Sequence, residues 1–419
     1  MTEIAQPLYR RTLLDLRVLD ALRGLAALYV VFCHAGALLW YGFVPSAWAG
    51  ENGLDAIVGR IVHGLLDYSP VAVLLFFLIS GFCIHYRQAR ALTTLQPGAR
   101  SSQILSLRDF AMRRLRRLYP PFLLALVLTA GFDALGSHLN DAFYNGPKPD
   151  QISWLGNSHA LQTVLGNLAI QSTLSVPTFG TDSPLWSLAY EFWFYAGYPI
   201  LLLVTARHGS VSMLGLTGLC AVVAYAASRV SDVWLTYVIM TWCVWAAGAV
   251  LAEAYVGRIR LPGLRWFVLP ALVGLGLLTQ RAPYHFGGRG QPKDILWACC
   301  LAILLAYILL DSPPRLATAL ERTARRLAWL GHISYSLYLV HVPWLALLAA
   351  AWFASHAGPP HGLELLAVGV ASSIALGGAC WFLVERHYMT PRTTRTAPAV
   401  GSRLAGDRRP SPPPVPSAV

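Results

Sequence analysis

The feature that most constrains this chain is a succession of apolar stretches, each about long enough to cross a bilayer. A transmembrane helix needs about 20 mainly apolar residues, because the hydrocarbon core is about 30 Å thick and an α-helix rises 1.5 Å per residue. Ten stretches approach this requirement: 19–40, 68–86, 118–137, 185–205, 211–228, 234–253, 266–280, 294–311, 333–354 and 363–384. The sequence therefore predicts an all-α polytopic membrane protein with about ten transmembrane helices.

Composition excludes the other broad classes. The 419 residues are 56% hydrophobic and only 12% charged, whereas soluble domains carry about 25% charged residues. So little charge cannot cover a water-soluble particle, and so much apolar sequence excludes disorder for most of the chain. The 7 cysteines lie in apolar stretches and form no CxxC pair. They are typical of small core residues, and we predict neither a disulfide framework nor a metal site.

The positive charge is distributed as a topology signal. The net charge is +12, and 26 of the 32 Lys and Arg residues fall on one side if the ten stretches alternate across the membrane. Positively charged segments face the cytoplasm. The sequence therefore predicts a multi-pass protein of the plasma (inner) membrane with both termini cytoplasmic. It predicts contact with the lipid bilayer and no nucleic-acid partner.

Two segments outside the apolar stretches differ from ordinary connections. Residues 390–419 are rich in Pro, Ser, Thr and Arg, which predicts a disordered cytoplasmic tail after a membrane domain at 1–389. The longest predicted outward connection, 138–183, is polar and contains Trp154. Loops of this length are uncommon unless they are functional, but the sequence does not identify what this one binds.

Two ionisable residues in the first stretch form the first candidate site. Arg23 and His34 are eleven residues apart, which corresponds to about 16 Å of rise and close to three helical turns. Both would therefore project from nearly the same face, with Arg23 at the inner boundary and His34 near mid-depth. This pair suits a phosphorylated cytoplasmic ligand that reaches inward. The alternative is a topology arginine and a core histidine bonded to a carbonyl.

Three further segments place polar residues in or beside the apolar stretches. Ser80 and Gly81 either let a helix unwind around a ligand or let two helices pack closely. A cluster of four arginines opens the third stretch and suits nucleotide phosphates or lipid headgroups: Arg113, Arg114, Arg116 and Arg117. Glu191 lies among aromatic residues. It could orient His34, bind a sugar hydroxyl or hold two helices together.

Together these segments resemble the acyltransferase-3 family of integral membrane acyltransferases, which includes O-antigen and exopolysaccharide O-acetylases. The resemblance runs from about Leu19 to Arg386. It is carried by five segments in order. Arg23 to His34 is similar to the family's R/K-x10-H, Phe76 to Phe82 to its FFxxSG and Arg114 to Arg117 to its RxxR. The last two segments that resemble the family are Leu185 to Glu191 and Ser334 to His341. Five such segments across ten spans are far more specific than any one alone.

The resemblance implies transfer of an acyl group, usually acetyl, from cytoplasmic acyl-CoA (acetyl-CoA) to a hydroxyl. A neutral imidazole is well matched to taking the hydroxyl proton near pH 7, so His34 is the predicted base, with Glu191 or a backbone group holding its tautomer. Arg23 and the four clustered arginines would bind the coenzyme A phosphates. Ser80 and Gly81 would let the pantetheine arm pass.

The acceptor is not identified by the sequence. The acceptor could be a glycan, a lipid-linked sugar or another small molecule. The sequence also leaves open whether the acyl group is transferred directly or through an acyl-histidine relay, and what the oligomeric state is. The residues predicted to contact the acceptor are Trp186, Ser187, Tyr338 and His341.

Two other functions are compatible with ten spans and buried charge. A secondary transporter is the main alternative, although the two halves lack corresponding broken-helix signals. A scaffold that only binds lipid would leave His34 and Glu191 without a role.

Overall fold

The computed structural model describes residues 15–40, 54–66, 68–93, 106–231, 233–281, 292–358 and 360–389. The predicted disordered tail, 390–419, lies outside these residues. The described chain is helical, with isolated β-bridges and no named strand among these residues. Its helices are α1 (Arg17–Leu39), α2 (Leu54–Leu66), α3 (Ser69–Leu92), α4 (Leu107–Leu139), α5 (Asp141–Asn145), a 3-10 helix (Asp150–Ile152), α6 (Leu161–Leu168), α7 (Leu185–His208), α8 (Ser210–Ser228), α9 (Trp234–Tyr255), α10 (Arg265–Arg281), α11 (Pro292–Leu310), α12 (Pro314–Phe353), α13 (Glu364–Cys380), a π-helical turn (Trp381–Glu385) and α14 (Arg386–Tyr388).

The predicted membrane fold is confirmed. Within the described ranges, 8 helical segments are long and apolar enough to span a bilayer, and two shorter apolar helices, Arg265–Thr279 and Asp294–Leu310, coincide with the seventh and eighth predicted spans. The protein is therefore a polytopic helical membrane protein. The structure adds helices to those expected, among them α2, which lies in a connection for which the apolar pattern predicts no span.

Two helices are much longer than their predicted spans. Helix α4 begins at Leu107 and α12 at Pro314, well before the apolar stretches that begin near 118 and 333. The 40 residues of α12 measure about 60 Å, roughly twice the hydrocarbon thickness. The added turns hold exposed arginines, among them Arg322, Arg325 and Arg326. Hydropathy detects only the part of a helix that lies in the membrane. Arginine has a high helix propensity, so arginine-rich turns can extend the same helix into water.

The central helices approach one another through glycines. A Cβ added to Gly331 of α12 would lie 2.1 Å from the Asp20 carbonyl oxygen of α1, and one added to Gly248 of α9 would lie 1.9 Å from the Leu78 carbonyl oxygen of α3. Neither position can accept a side chain without a backbone shift. This close packing fixes the relative depth of α1 against α12 and of α3 against α9, and these helices carry Arg23, His34, Ser80 and His341.

The segment between α4 and α7, residues 140–184, is held down by a buried carboxylate. Asp133, near the end of α4, accepts hydrogen bonds from the Thr181 amide at 2.9 Å and the Thr181 hydroxyl at 2.5 Å. Its Oδ2 is also 3.0 Å from His159 Nε2. Asp182 is fully buried beside it, and burial, followed by the charge of Asp133, raises the pKa of Asp182 well above its ordinary value. The segment is therefore anchored against the helices rather than extended into solvent.

Candidate functional site

Two adjoining cavities lie among the central helices. The basic cavity has a volume of about 130 Å³ and is lined in part by Arg23, Arg114, Arg117, Ser80 and Glu191. The histidine cavity has a volume of about 560 Å³ and is lined in part by His34, Trp154, Trp186, Tyr190 and residues 173–178. Val73 and Tyr338 line both cavities. These two side chains therefore form the boundary between a basic compartment and an uncharged one.

Three arginines from two helices converge on the basic cavity. One guanidinium nitrogen of Arg23 donates to the Gly331 carbonyl at 3.0 Å and lies 3.3 Å from Asp20 Oδ1. The Nε atoms of Arg23 and Arg114 are buried without a hydrogen-bond partner among the described residues. Buried donors are normally satisfied. These unused donors, together with Arg117, make the cavity suited to an anionic ligand.

The predicted arginine cluster divides between two environments. Arg114 and Arg117 line the basic cavity, and the Arg114 guanidinium carbon lies 5.5 Å from the Phe110 ring and 5.6 Å from the Tyr195 ring. Arg113 and Arg116 are exposed and do not line it. The helical period of α4 separates the four side chains, so only two of them are placed to contact a ligand in this cavity.

Glu191 is in the basic cavity, not beside His34. Its Oε1 accepts hydrogen bonds from the Ser80 hydroxyl and the Tyr195 hydroxyl, each at 2.5 Å. Ser80 in turn accepts from Trp245 Nε1 at 3.2 Å. The expectation that Glu191 holds the tautomer of His34 is therefore not met by these contacts. Its carboxylate instead joins α3, α7 and α9 at the wall of the basic cavity.

His34 is paired with a second histidine. His34 Nδ1 is 2.7 Å from His341 Nε2, and the two rings are nearly parallel with centroids 5.0 Å apart. The Trp154 ring from the 140–184 segment lies 4.9 Å from the His34 ring. His34 is only 6% exposed yet lines the histidine cavity. Its ring is thus in contact with two other rings and with the cavity.

The four residues predicted to contact an acceptor are separated by the structure. Trp186 lines the histidine cavity and Ser187 the basic cavity, while Tyr338 lies between them and its hydroxyl is 2.9 Å from the Ser187 hydroxyl. His341 is 0% exposed and lines neither cavity. It lies behind His34, so the structure gives it no direct contact with either cavity.

Gly81 also differs from its predicted place. It does not line the basic cavity, and a Cβ there would lie 1.8 Å from the Trp245 carbonyl oxygen of α9. Close packing of α3 and α9, one of the two alternatives from the sequence, accounts for this glycine. Ser80, its neighbour, does line the cavity.

Sequence reasoning missed part of the histidine cavity. Trp154 and residues 173–178 line it, and one sequence signal pointed toward them, the unusual length of the connection after α4. Tyr190 of α7 also lines it, without a signal of its own. That connection contributes a wall to the cavity because Asp133 and Thr181 anchor it against the helix ends.

A second missed cluster lies away from both cavities. His85 Nε2 is 2.6 Å from Glu253 Oε1, which also accepts from Arg258 at 2.9 Å, and His85 Nδ1 is 3.0 Å from the Tyr198 hydroxyl. His85 and Glu253 are fully buried. Each lies at the end of a predicted span, where ionisable residues resemble ordinary interfacial ones. The cluster connects α3, α7 and α9. Among the described residues, no group of three or more His, Cys, Asp or Glu side chains could hold a metal ion.

Comparisons with known proteins bear on this arrangement. The family profile described as "Acyltransferase domain", that of the acyltransferase-3 family, matches residues 16–384. The chain is 24% identical over 429 residues to acyltransferase MdmB of Streptomyces mycarofaciens, covering 94% of this chain and 93% of the relative. It is 26% identical over 404 residues to nodulation protein 10 of Rhizobium leguminosarum bv. viciae, covering 90% and 94% respectively. No solved structure gives a significant match.

Proposed function

Because this chain belongs to the acyltransferase-3 family and is a membrane acyltransferase, we propose that it moves an acyl group, specifically acetyl, from cytoplasmic acyl-CoA to a hydroxyl of a carbohydrate or another small acceptor. The observation that carries this proposal is the pair of adjoining cavities, one basic and one lined by His34, that meet at Val73 and Tyr338.

The basic cavity suits the donor. Arg23, Arg114 and Arg117 offer guanidinium groups, and such groups form strong charge-assisted hydrogen bonds to phosphate oxygens. Two of their buried donors lack a partner among the described residues. We assign the phosphates of coenzyme A to these arginines, with the thioester end directed toward Tyr338. The positive-inside distribution of Lys and Arg supports a cytoplasmic, plasma-membrane entrance for this donor.

The histidine cavity suits the acceptor. Its described lining combines aromatic rings, such as Trp154 and Trp186, with hydroxyls, such as Ser175 and Thr178, and contains no Lys, Arg, Asp or Glu. Aromatic faces with a few convergent polar groups are typical of sites for neutral ring-shaped ligands. We therefore expect the part of the acceptor that enters to be uncharged and to carry the hydroxyl that is acylated.

His34 is the proposed general base. As the acceptor oxygen attacks the thioester carbonyl, His34 takes the hydroxyl proton, the carbon–oxygen bond forms and the carbon–sulfur bond breaks. The proton then passes to the departing coenzyme A thiolate, so that thiol and ester are the products. A positioned base of this kind contributes about 10²- to 10⁴-fold to rate. Direct transfer needs no acyl-histidine intermediate, and we favour it over the relay.

The experiment measures consumption of radiolabelled acetyl-CoA by the full chain in nanodiscs, with neutral hydroxylated compounds as acceptors. We expect His34→Ala to lower turnover by about 10²-fold or more while coenzyme A binding, measured by calorimetry, is retained. The matched control is His332→Ala, because His332 is an exposed histidine on α12 that lines neither cavity. Wild-type turnover in His34→Ala would overturn the assignment of the base.

The acceptor is sought separately. Mass spectrometry of surface glycans and extracted metabolites from a deletion strain should show loss of one acetyl substitution. If the purified protein neither binds coenzyme A nor consumes acetyl-CoA, the proposed donor is wrong. Solute flux through proteoliposomes without acetyl-CoA would instead support the transporter.

A further inference from the structure

The environment of His341 determines where its proton lies. Its Nδ1 is 2.8 Å from the Tyr338 carbonyl oxygen and 3.2 Å from the Leu337 carbonyl oxygen. A carbonyl oxygen can only accept a hydrogen bond. His341 Nδ1 must therefore carry the hydrogen and donate it to these carbonyls on the preceding turn of its own helix.

The other nitrogen of His341 is consequently an acceptor. The ring is 0% exposed, and in the part of the chain that the structure describes its hydrogen-bonding partners are His34 and the two carbonyls, with no carboxylate among them. A buried imidazolium without a carboxylate partner is disfavoured by desolvation. In the neutral ring, a hydrogen on Nδ1 leaves Nε2 with a lone pair. That lone pair is 2.7 Å from His34 Nδ1.

The hydrogen in this contact must then come from His34. We propose that His341 is a positioning residue that fixes the tautomer of His34: the hydrogen of His34 lies on Nδ1 and is donated to His341, and His34 Nε2 is left unprotonated. This inference rests on the proposed function, in which His34 is the base. It replaces the predicted contact of His341 with the acceptor. In the resulting chain of hydrogen bonds, His34 donates to His341, and His341 donates to the backbone carbonyls.

The second function of the pair is orientation. The His341 and His34 rings are close to parallel, at 18°, and Trp154 covers His34 at an angle of 36°. A free neutral histidine would exchange its hydrogen between both nitrogens, and the form with Nε2 protonated cannot take a proton there. Losing the acceptor at His341 should therefore lower the fraction of His34 that is competent as a base, without affecting how either substrate binds.

The kinetic test compares His341→Phe with His341→Gln. Phenylalanine fills the space but accepts no hydrogen bond, whereas the glutamine amide oxygen can take the place of Nε2 as acceptor. We expect His341→Phe to lower kcat by ~10- to 100-fold, as for other residues that orient a functional imidazole. The KM values for acetyl-CoA and acceptor should be unchanged, and His341→Gln should recover most of the lost kcat.

Three results would overturn the proposal. A raised acceptor KM in His341→Phe would indicate that His341 contacts the substrate. An equal loss of kcat in both variants would indicate a packing role. A kcat equal to that of the wild type in both variants would show that His341 has no role in the reaction. Thermal unfolding of each variant in the same detergent serves as the control, because a packing role would lower kcat and stability together in both variants.

A second measurement does not require activity. Nitrogen-15 NMR of histidine-labelled protein in nanodiscs distinguishes protonated from unprotonated ring nitrogens, and His34→Ala identifies the signal. We expect His34 Nε2 to be unprotonated in the wild type and to become mixed in His341→Phe. An inactive wild type with this signal would refute the proposed function alone. An active wild type with His34 Nδ1 unprotonated would refute the role of His341 alone.

Discussion

The basic cavity and the histidine cavity are neighbours with opposite character. The first brings together three arginines and a glutamate in about 130 Å³, and the second surrounds a histidine with aromatic rings and hydroxyls in about 560 Å³. Charged groups are costly within a bilayer unless they are paired or hydrated. Separating them from His34 allows one cavity to hold an anion while the other remains uncharged, and Tyr338 is common to both.

The difference is also one of support. The charged residues of the basic cavity lie on long helices, whereas much of the histidine cavity is formed by the 140–184 segment. A long helix fixes a side chain through continuous backbone hydrogen bonds, but a segment of short helices and irregular turns needs separate anchors. Here the anchors are Asp133 and Thr181. We therefore expect changes of donor affinity to arise in the helices, and changes of acceptor preference to arise in this segment.

The largest effect that separates the cavities is expected from Arg117→Ala. Arg117 lines the basic cavity, while its neighbour Arg116 is exposed. Loss of a charge-assisted hydrogen bond costs about 1.5–3 kcal/mol. The KM for acetyl-CoA should therefore rise by roughly 10- to 100-fold, with the acceptor KM unchanged, in steady-state kinetics. Arg116→Ala is the matched control and should behave as the wild type. Equal effects of the two substitutions would indicate a role in binding lipid headgroups instead.

A smaller effect is expected at Cys83, an exposed thiol that lines the basic cavity. If coenzyme A occupies this cavity, it should shield Cys83 from a maleimide. The rate of Cys83 alkylation should then fall in proportion to the fraction of protein molecules that hold coenzyme A. Mass spectrometry of the modified peptide measures the rate. Cys83→Ser reports the background from the other cysteines, and an unchanged Cys83 rate with bound coenzyme A would place the donor elsewhere.

The smallest effect concerns Asp182 and the support of the histidine cavity. Its pKa is raised well above 3.8 in the folded protein, so between pH ~4 and that raised value the folded state binds more protons than the unfolded state. Stability should therefore fall as pH rises through this window, by up to about 1.4 kcal/mol per pH unit. Thermal unfolding in detergent measures it. Asp182→Asn should remove this pH dependence and raise the melting temperature at pH 7. A pH dependence identical to that of the wild type would show that Asp182 is not its source.

Several site residues could be predicted because they are ionisable residues in stretches that are otherwise apolar. Arg23, His34 and Glu191 are ionisable residues in apolar stretches, and the structure places each of them at a cavity. The division of the arginine cluster into Arg114 and Arg117 against Arg113 and Arg116 follows from helical period, but predicting it requires knowing which face of α4 is turned toward the basic cavity. Sequence spacing alone does not supply that information.

The histidine pair could not have been predicted from spacing. His34 and His341 are 307 residues apart in the sequence, and they meet because Gly331 allows α12 to lie directly on α1. Helix packing also decides that Glu191 accepts a hydrogen bond from Ser80 of α3 rather than lying beside His34. Trp154 likewise reaches His34 only after the 140–184 segment has folded back against the helices.

Hydropathy and charge along the chain determine by themselves that this protein is a bundle of membrane helices with ionisable residues inside it. This is so because solvation by lipid acts on each segment separately, before any helix meets another. Which polar groups become partners was decided only by the tertiary structure. Hydrogen bonds and close glycine contacts depend on the relative depth and rotation of whole helices, and those are set by packing over the entire bundle.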